Sequence, residues 1–341
     1  MAEPSPSWSE TIAPNEAAAF DALAGKLRAI QHARAPADRA LHAKAHGGLL
    51  GELSVLPDLP AWTRVGIFEK PGSYRAYARF SNGSGARQGD SKGDVRGIAV
   101  KVVGVPGKKL IPGMEGAATQ DFLGILSPAP PFRTPAEFVG TVVATSGSPL
   151  LLLPRLFAAL GWQTFKVLGA LNAGRAHPVT SMAEQTFYSA LPIRWGNHAV
   201  KYSFLPDPVP APPGLVPSDA PDHLANDLRA RLAAGPLAWT LRVQGYVDAA
   251  RTPIEDPTKE WLPADAPWVP VARLTLPQQD AGSERGKRLA AWVETLSFDP
   301  WHAPEEFRPL GALMRARGAA YRESGIERKS AAEPDGSESW G

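Results

Sequence analysis

The chain has 341 residues, 44% of them hydrophobic and 21% charged, with a formal net charge of +2. That length allows two domains or one large barrel, and the composition is that of a globular protein with a full core. The net charge is too small to argue for nucleic acid or an anionic membrane as partner, and the absence of cysteine excludes disulfides, thiolate-ligated haem, zinc fingers, iron–sulfur clusters and cysteine nucleophiles.

Met1 to Pro6 carries neither a basic stretch nor an apolar run, so no signal peptide is expected and the cytoplasm is the default location. Residues 1–15 read as an extended arm. Glu16–Arg34 reads as an amphipathic helix, with Phe20, Leu23, Leu27 and Ile30 at helical spacing. His32, near its end, fits a charge partner for the helix C-terminus better than a ligand. In the segment Arg39–Val55, His42 and His46 are four apart, a spacing that chelates a metal on a helix. No acidic residue follows His42, however, and Gly47-Gly48 would break a helix at once. A structural histidine and a catalytic acid–base both remain open for His42.

Ser73–Asn82 alternates: Tyr74, Ala76, Ala78 and Phe80 face one way, and Arg75, Tyr77, Arg79 and Ser81 the other. Its polar face either lies in water or lines a pocket. Val95–Val103 and Thr119–Ile125 read as the next strands. Thr134-Pro135-Ala136-Glu137 is a helix start with a Thr cap, Pro in the first turn and a capping-box Glu. Pro149–Asn172 is very apolar, but Pro154, Arg155 and Lys166 interrupt it, so packed helices are expected rather than a membrane span. Thr186–Leu205, Ala238–Asp248 and Trp268–Leu276 read as further strands, and Asp222–Ala234 and Glu284–Leu296 as helices. Strands separated by long Pro-rich connections suggest an antiparallel barrel.

The stretch Arg315–Arg328 reads as a helix that puts Arg317, Tyr321 and Arg328 in one stripe. A guanidinium one turn from a phenol favours the phenolate, and tyrosine is among the few side chains used as a proximal haem ligand. A surface helix with an ordinary Arg and Tyr fits the same residues. Residues 329–341 are rich in Ser, Ala, Glu, Pro, Asp and Gly and read as a flexible tail.

Several motifs occur together and in order. Arg39-Ala40-Leu41-His42-Ala43-Lys44 is followed by Arg79-Phe80-Ser81-Asn82 and by Asp94-Val95-Arg96-Gly97-Ile98-Ala99-Val100-Lys101. Phe298-Asp299-Pro300-Trp301-His302 and Arg308-Pro309-Leu310-Gly311 then precede the Arg317/Tyr321 pair. On these motifs the chain resembles the haem catalase superfamily, in particular the short catalase-related haem peroxidases. The resemblance implies an α+β fold over residues 16–328, a catalase-like antiparallel β-barrel core with surrounding helices and a haem pocket. It implies haem b (iron), with Tyr321 as the proximal metal ligand, Arg317 as its charge partner, and Arg39, Arg79 and Arg328 on the propionates. His42 would be the distal acid–base, its ring fixed by Ser81. The family's chemistry breaks the peroxide O–O bond heterolytically and leaves a ferryl porphyrin radical.

One departure stands out. Where catalases carry a distal asparagine in Asn-x-Pro-x-Phe, this chain has Leu126-Ser127-Pro128. The expectation is therefore a cytoplasmic peroxidase or peroxygenase using hydrogen peroxide or organic hydroperoxides, with weak catalase activity and a small apolar organic substrate. Neither nucleic acid nor a membrane span is expected, and the protein would be a monomer or a homodimer. Two alternatives are a non-catalytic haem or lipid binder and a fatty-acid hydroperoxide enzyme of the allene oxide synthase type. Against the last, Leu41 stands where those relatives place a threonine.

Overall fold

Most strand residues are buried on both sides of the sheet, so two layers of side chains organise the architecture. The computed structural model describes residues 3–35, 38–146, 149–176, 179–209 and 219–339. Residues 1–2 of the expected arm, 340–341 of the expected tail and the side chains of 149 and 170–172 in the expected apolar helices lie outside the described residues. The strands are β1 (Ala45–Val55), β2 (Ser73–Asn82), β3 (Arg96–Val103), β4 (Thr119–Ile125), β5 (Phe187–Tyr188), β6 (Ile193–Trp195), β7 (His198–Pro206), β8 (Leu237–Gly245) and β9 (Val269–Leu276). They pair antiparallel in the order β5-β4-β3-β2-β1-β9-β8-β7-β6, and an additional β5–β7 pairing closes eight of them into a barrel with β6 outside the closure. The helices are α1 (Glu16–Arg34), α2 (Pro135–Thr145), α3 (Leu152–Leu160), α4 (Gln163–Ala176), α5 (His223–Ala234), α6 (Glu284–Thr295) and α7 (Ala312–Arg328). This is the expected α+β barrel.

On β2 the alternation sorts side chains between two buried layers. Ala76, Ala78 and Phe80 join the barrel core with Ile98, Phe122 and Trp239. Tyr77 enters a second cluster under α6 with Val293 and Phe298. On that outer face Tyr77, Arg79 and Ser81 are buried and only Arg75 meets water. The region Thr186–Leu205 is three strands rather than one: Pro192 lies between Tyr188 and Ile193, and Gly196 (φ 61°) turns the chain between Trp195 and His198.

The outer helices are tied by charge. α1 packs along α7, with Arg28 on Glu323 (2.9 Å) and Glu327 (2.8 Å) and His32 Nδ1 on Glu327 (2.6 Å). Glu10 of the N-terminal arm pairs with Arg308 and Arg315. Composition suggested a loose tail after residue 329; over 333–338 the chain instead packs back on the barrel. Glu333 pairs with buried Lys101 (2.6 Å) and accepts from Thr119 (2.7 Å), and Tyr77 donates to Glu338 (3.1 Å). Composition reports solvation, and it misses one carboxylate meeting one buried cation.

Candidate active site

Arg317 and Tyr321 lie one turn apart on α7, and Nη2 of Arg317 donates to the Tyr321 hydroxyl at 3.1 Å. Burial works against the Arg317 charge, yet Tyr321, with Tyr202 and Asp299, holds it above the ordinary arginine value. α7 is fixed from the loop before it. Trp301 Nε1 donates to the Met314 carbonyl at 2.9 Å, and its indole occupies the space a Gly318 Cβ would need, 2.8 Å away. Asp299 Oδ1 accepts from the Trp301 amide.

His42 sits just before β1 with φ 58°, a left-handed conformation that non-glycine residues adopt rarely. Its backbone is held at both ends: its N–H donates to Gly83 O (3.0 Å), and its carbonyl accepts from Arg79 (2.9 Å). Its Nδ1 is 2.9 Å from the Ser81 hydroxyl. The ring lies against Gly97, where a Cβ would stand 2.9 Å from Cε1. Burial, then Arg79, Arg317 and Arg39, lowers the imidazole to about 3, so it is neutral at physiological pH and able to take a proton. The other residues of the motif have structural partners. Lys44 binds Asp90 (2.7 Å) and Asp222 (2.8 Å). His46, on β1, puts Nε2 on Asn82 Oδ1 at 2.6 Å. His42 and His46 are thus not on one helical turn.

Arg39, Arg79 and Arg328 converge at the end of α6. Arg39 donates to the carbonyls of Glu294 (3.2 Å) and Leu296 (2.8 Å), and Arg328 to the same two (3.3 and 3.0 Å). Arg79 pairs with the Glu294 carboxylate at 2.6 Å, while nearby Arg87 pairs with Asp38 at 2.7 Å. Arg39 and Arg328 therefore have no carboxylate partner among the described residues. Burial, then repulsion from Arg79, lowers both, and the buried Arg39 Nε has no hydrogen bond. A cavity of about 600 Å³ opens beside Arg39, Glu294 and Arg328. Two unmatched cations suit a group with two carboxylates.

At the near end of β4, Gly97 pairs with Ile125, and the Leu126 amide donates to Arg96 O at 3.3 Å. Leu126 thus stands at the end of the sheet where the His42 ring lies. Gln120 pairs with Val102 toward the other end of β4, roughly 17 Å along the strand from Ile125. It is not a substitute for an asparagine beside His42. A second cavity, of about 350 Å³, adjoins this stretch between Pro128, Tyr188, Lys201, Arg242, Trp261 and Trp268.

All seven residues singled out from the sequence are described, and Arg79, Arg39 and Arg317 are near enough to His42 to shift it, as Tyr321 is to Arg39. Sequence reasoning missed Glu294, which reads as an ordinary solvated helix residue. It also gave no role to Gly97, whose lack of a side chain makes room for the imidazole. A haem fits this donor set: a phenol with a cationic partner, a neutral imidazole, and two unpaired guanidiniums for two carboxylates.

No family model matches the chain. It is 29% identical over 279 residues to a catalase-related peroxidase of Mycolicibacterium paratuberculosis, covering 76% of this chain and 81% of that protein. Among solved structures, it superposes on a fungal catalase with TM-score 0.68 at 19% identity, over 88% of this chain and 61% of that one. Catalase A from Saccharomyces cerevisiae gives 0.67 at 20%, over 88% and 63%, and a bacterial catalase 0.65 at 20%, over 88% and 59%. The chain thus spans about three-fifths of the length of these catalases. It has the catalase fold, and by sequence and fold together it resembles the catalase superfamily and, within it, the catalase-related peroxidases.

Proposed function

We propose that the protein is a haem-dependent peroxidase or peroxygenase that takes hydrogen peroxide or organic hydroperoxides and dismutates hydrogen peroxide weakly. One observation carries this reading: the Arg317–Tyr321 pair and the His42–Ser81 pair share a site with two guanidiniums that lack carboxylate partners. Tyr321 would ligate the iron of haem b through its oxygen, Arg317 stabilising the phenolate. Arg39, Arg79 and Arg328 would hold the propionates. The haem, when bound, supplies the redox-active iron that accepts peroxide oxygen.

The protein's own part is positional and protonic. With Nδ1 donating to Ser81, His42 keeps the Nε2 lone pair free. It can take the proton from one peroxide oxygen and return it to the other as water or alcohol leaves, help worth roughly 10²–10⁴ in rate. Leu126 supplies apolar contact where an asparagine would donate a hydrogen bond, which favours an alkyl hydroperoxide over hydrogen peroxide. The test is Tyr321→Phe. The wild type is expected to purify with haem, or to take it up, and to turn over peroxide, and the variant to lose the haem. A variant with full haem and an unchanged Soret band overturns the ligand assignment, and a wild type that binds no haem overturns the reading.

A further inference from the structure

Outside the barrel, α2 packs on α1 and α7, α3 on α2, and α4 on α3. The inner side of this layer has a complete small core, with Leu156, Leu160 and Val167 packed on Phe132 and Ala144. A helix whose inner face is satisfied ordinarily carries polar residues outside. Here the outer face is apolar as well. Leu150, Leu153, Phe157, Trp162 and Phe165 are 92%, 59%, 46%, 79% and 62% exposed. With Leu151, these make up half of the large apolar side chains that the described residues expose, so the face is a patch rather than scatter. Its aromatic rings form a ridge: Phe157 meets Trp162 edge-on at 5.6 Å, and Trp162 lies 6.0 Å from Phe165.

The charge that this segment carries has one sign. Between Glu137 and Glu184 the sequence holds no acidic residue, while Lys166 follows Phe165 on α4 and Arg155 lies on α3, about half a turn round from Leu153 and Phe157. Both are exposed, and neither has an ion pair among the described residues. Apolar and aromatic side chains flanked by unpaired cations are what a helix lying in the lipid headgroup layer presents. No helix among the described residues is long and apolar enough to cross a membrane. A second copy fits less well, since a two-fold contact sets the same patch against itself. That would bring Lys166 toward its twin, with no carboxylate from α3 or α4 to offset it.

We propose that the α3–α4 face, with Trp162 and Phe165 at its centre, docks on the surface of an anionic lipid bilayer. The test is flotation of the full chain with vesicles of phosphatidylcholine alone and of phosphatidylcholine with phosphatidylglycerol. The wild type is expected to float with the anionic vesicles, to be released by high salt, and to lose Trp emission to brominated acyl chains. Trp162→Ser with Phe165→Ser should weaken partitioning about tenfold or more. Arg155→Glu with Lys166→Glu should abolish the preference for anionic vesicles. Because all four side chains are exposed, the melting temperature and the peroxide turnover in solution should not change. Absence of binding to anionic vesicles overturns the proposal, as does equal binding to neutral ones. A concentration-dependent dimer that the Trp162/Phe165 variant dissolves, without vesicle binding, would assign the face to a second copy instead.

Discussion

The His42 imidazole rests on the backbone of Gly97, leaving 2.9 Å between its Cε1 and the position a Cβ would take. Real Cβ contacts are never that short, so Gly97→Ala must move the ring, and the 2.9 Å link from Nδ1 to Ser81 would go with it. We expect Gly97→Ala to slow the reaction with peroxide at least about tenfold while haem content stays normal. His42→Ala should slow it about a hundredfold, the lower end of the range for general acid–base help. Stopped-flow absorbance at the Soret band measures both. Normal rates in either variant would remove His42 from the mechanism.

Leu126→Asn should restore a hydrogen-bond donor beside His42. A preorganised donor where charge develops is worth up to about 10²–10³ in rate, so oxygen evolution from hydrogen peroxide should rise by as much as a hundredfold. Turnover of an alkyl hydroperoxide should change little. Its chain gains binding from apolar contact, at roughly 25 cal/mol per Å². Parallel oxygen-electrode and peroxidase assays decide it, and an unchanged ratio of the two activities would place Leu126 away from the reacting oxygen.

Glu294 is the carboxylate already in contact with Arg79. Although burial acts against its charge, Arg79 and Arg39 hold its carboxyl below the usual carboxylate range. Incoming propionates would meet that negative charge. Glu294→Gln should therefore tighten haem binding several-fold and, in the haem-free protein, cost about 1–2 kcal/mol, because a buried guanidinium loses its partner at a carboxylate still one-third exposed. Haemin titration and thermal melts read the two effects separately. Weaker haem binding would show that Glu294 positions the arginines rather than competing for them.

Asp299 gives a pH prediction. Burial pushes its carboxyl up to about 7, although the Trp301 amide and Arg317 pull it down. The unfolded chain releases that proton near pH 4, so between about pH 4 and pH 7 the native state holds a proton that the unfolded state has lost. Stability therefore falls as pH rises through this window, and below it the loss vanishes. Asp299→Asn should remove the effect. Its stability relative to the wild type should climb across the window by no more than about 4 kcal/mol. Denaturant melts at several pH values test this, and parallel curves for the two proteins would refute it.

What the sequence revealed depended on how local the signal was. Arg317 and Tyr321 are joined by one helical turn, so their spacing alone implies their contact. β2 carries its limits in alternating side chains, and the expected bounds of both β2 and β4 match the structure to the residue. Arg39, Arg79 and Arg328 come from three distant segments, and only the family resemblance joined them. Nothing local marks Glu294, whose meaning comes from three arginines on other elements. The split at Gly196 is carried by Gly196-Asn197, a two-residue hairpin signal between Trp195 and His198 that reading Thr186–Leu205 as one strand passes over. The net charge of +2 concealed a run of 46 residues, 138–183, without a carboxylate, because acidic residues elsewhere balance its cations.

The pairing of α1 with α7 joins residues 299 positions apart, as in the contact from Arg28 to Glu327. Contacts of such high order carry a loop-closure cost and slow folding. The helix bearing Tyr321 is thus held in the native chain by a helix from the opposite end of the sequence. A pigment captured through Tyr321 would then mark chains that have finished folding. Colour retained through purification would report the native fraction, and unfolded or arrested chains would stay pale.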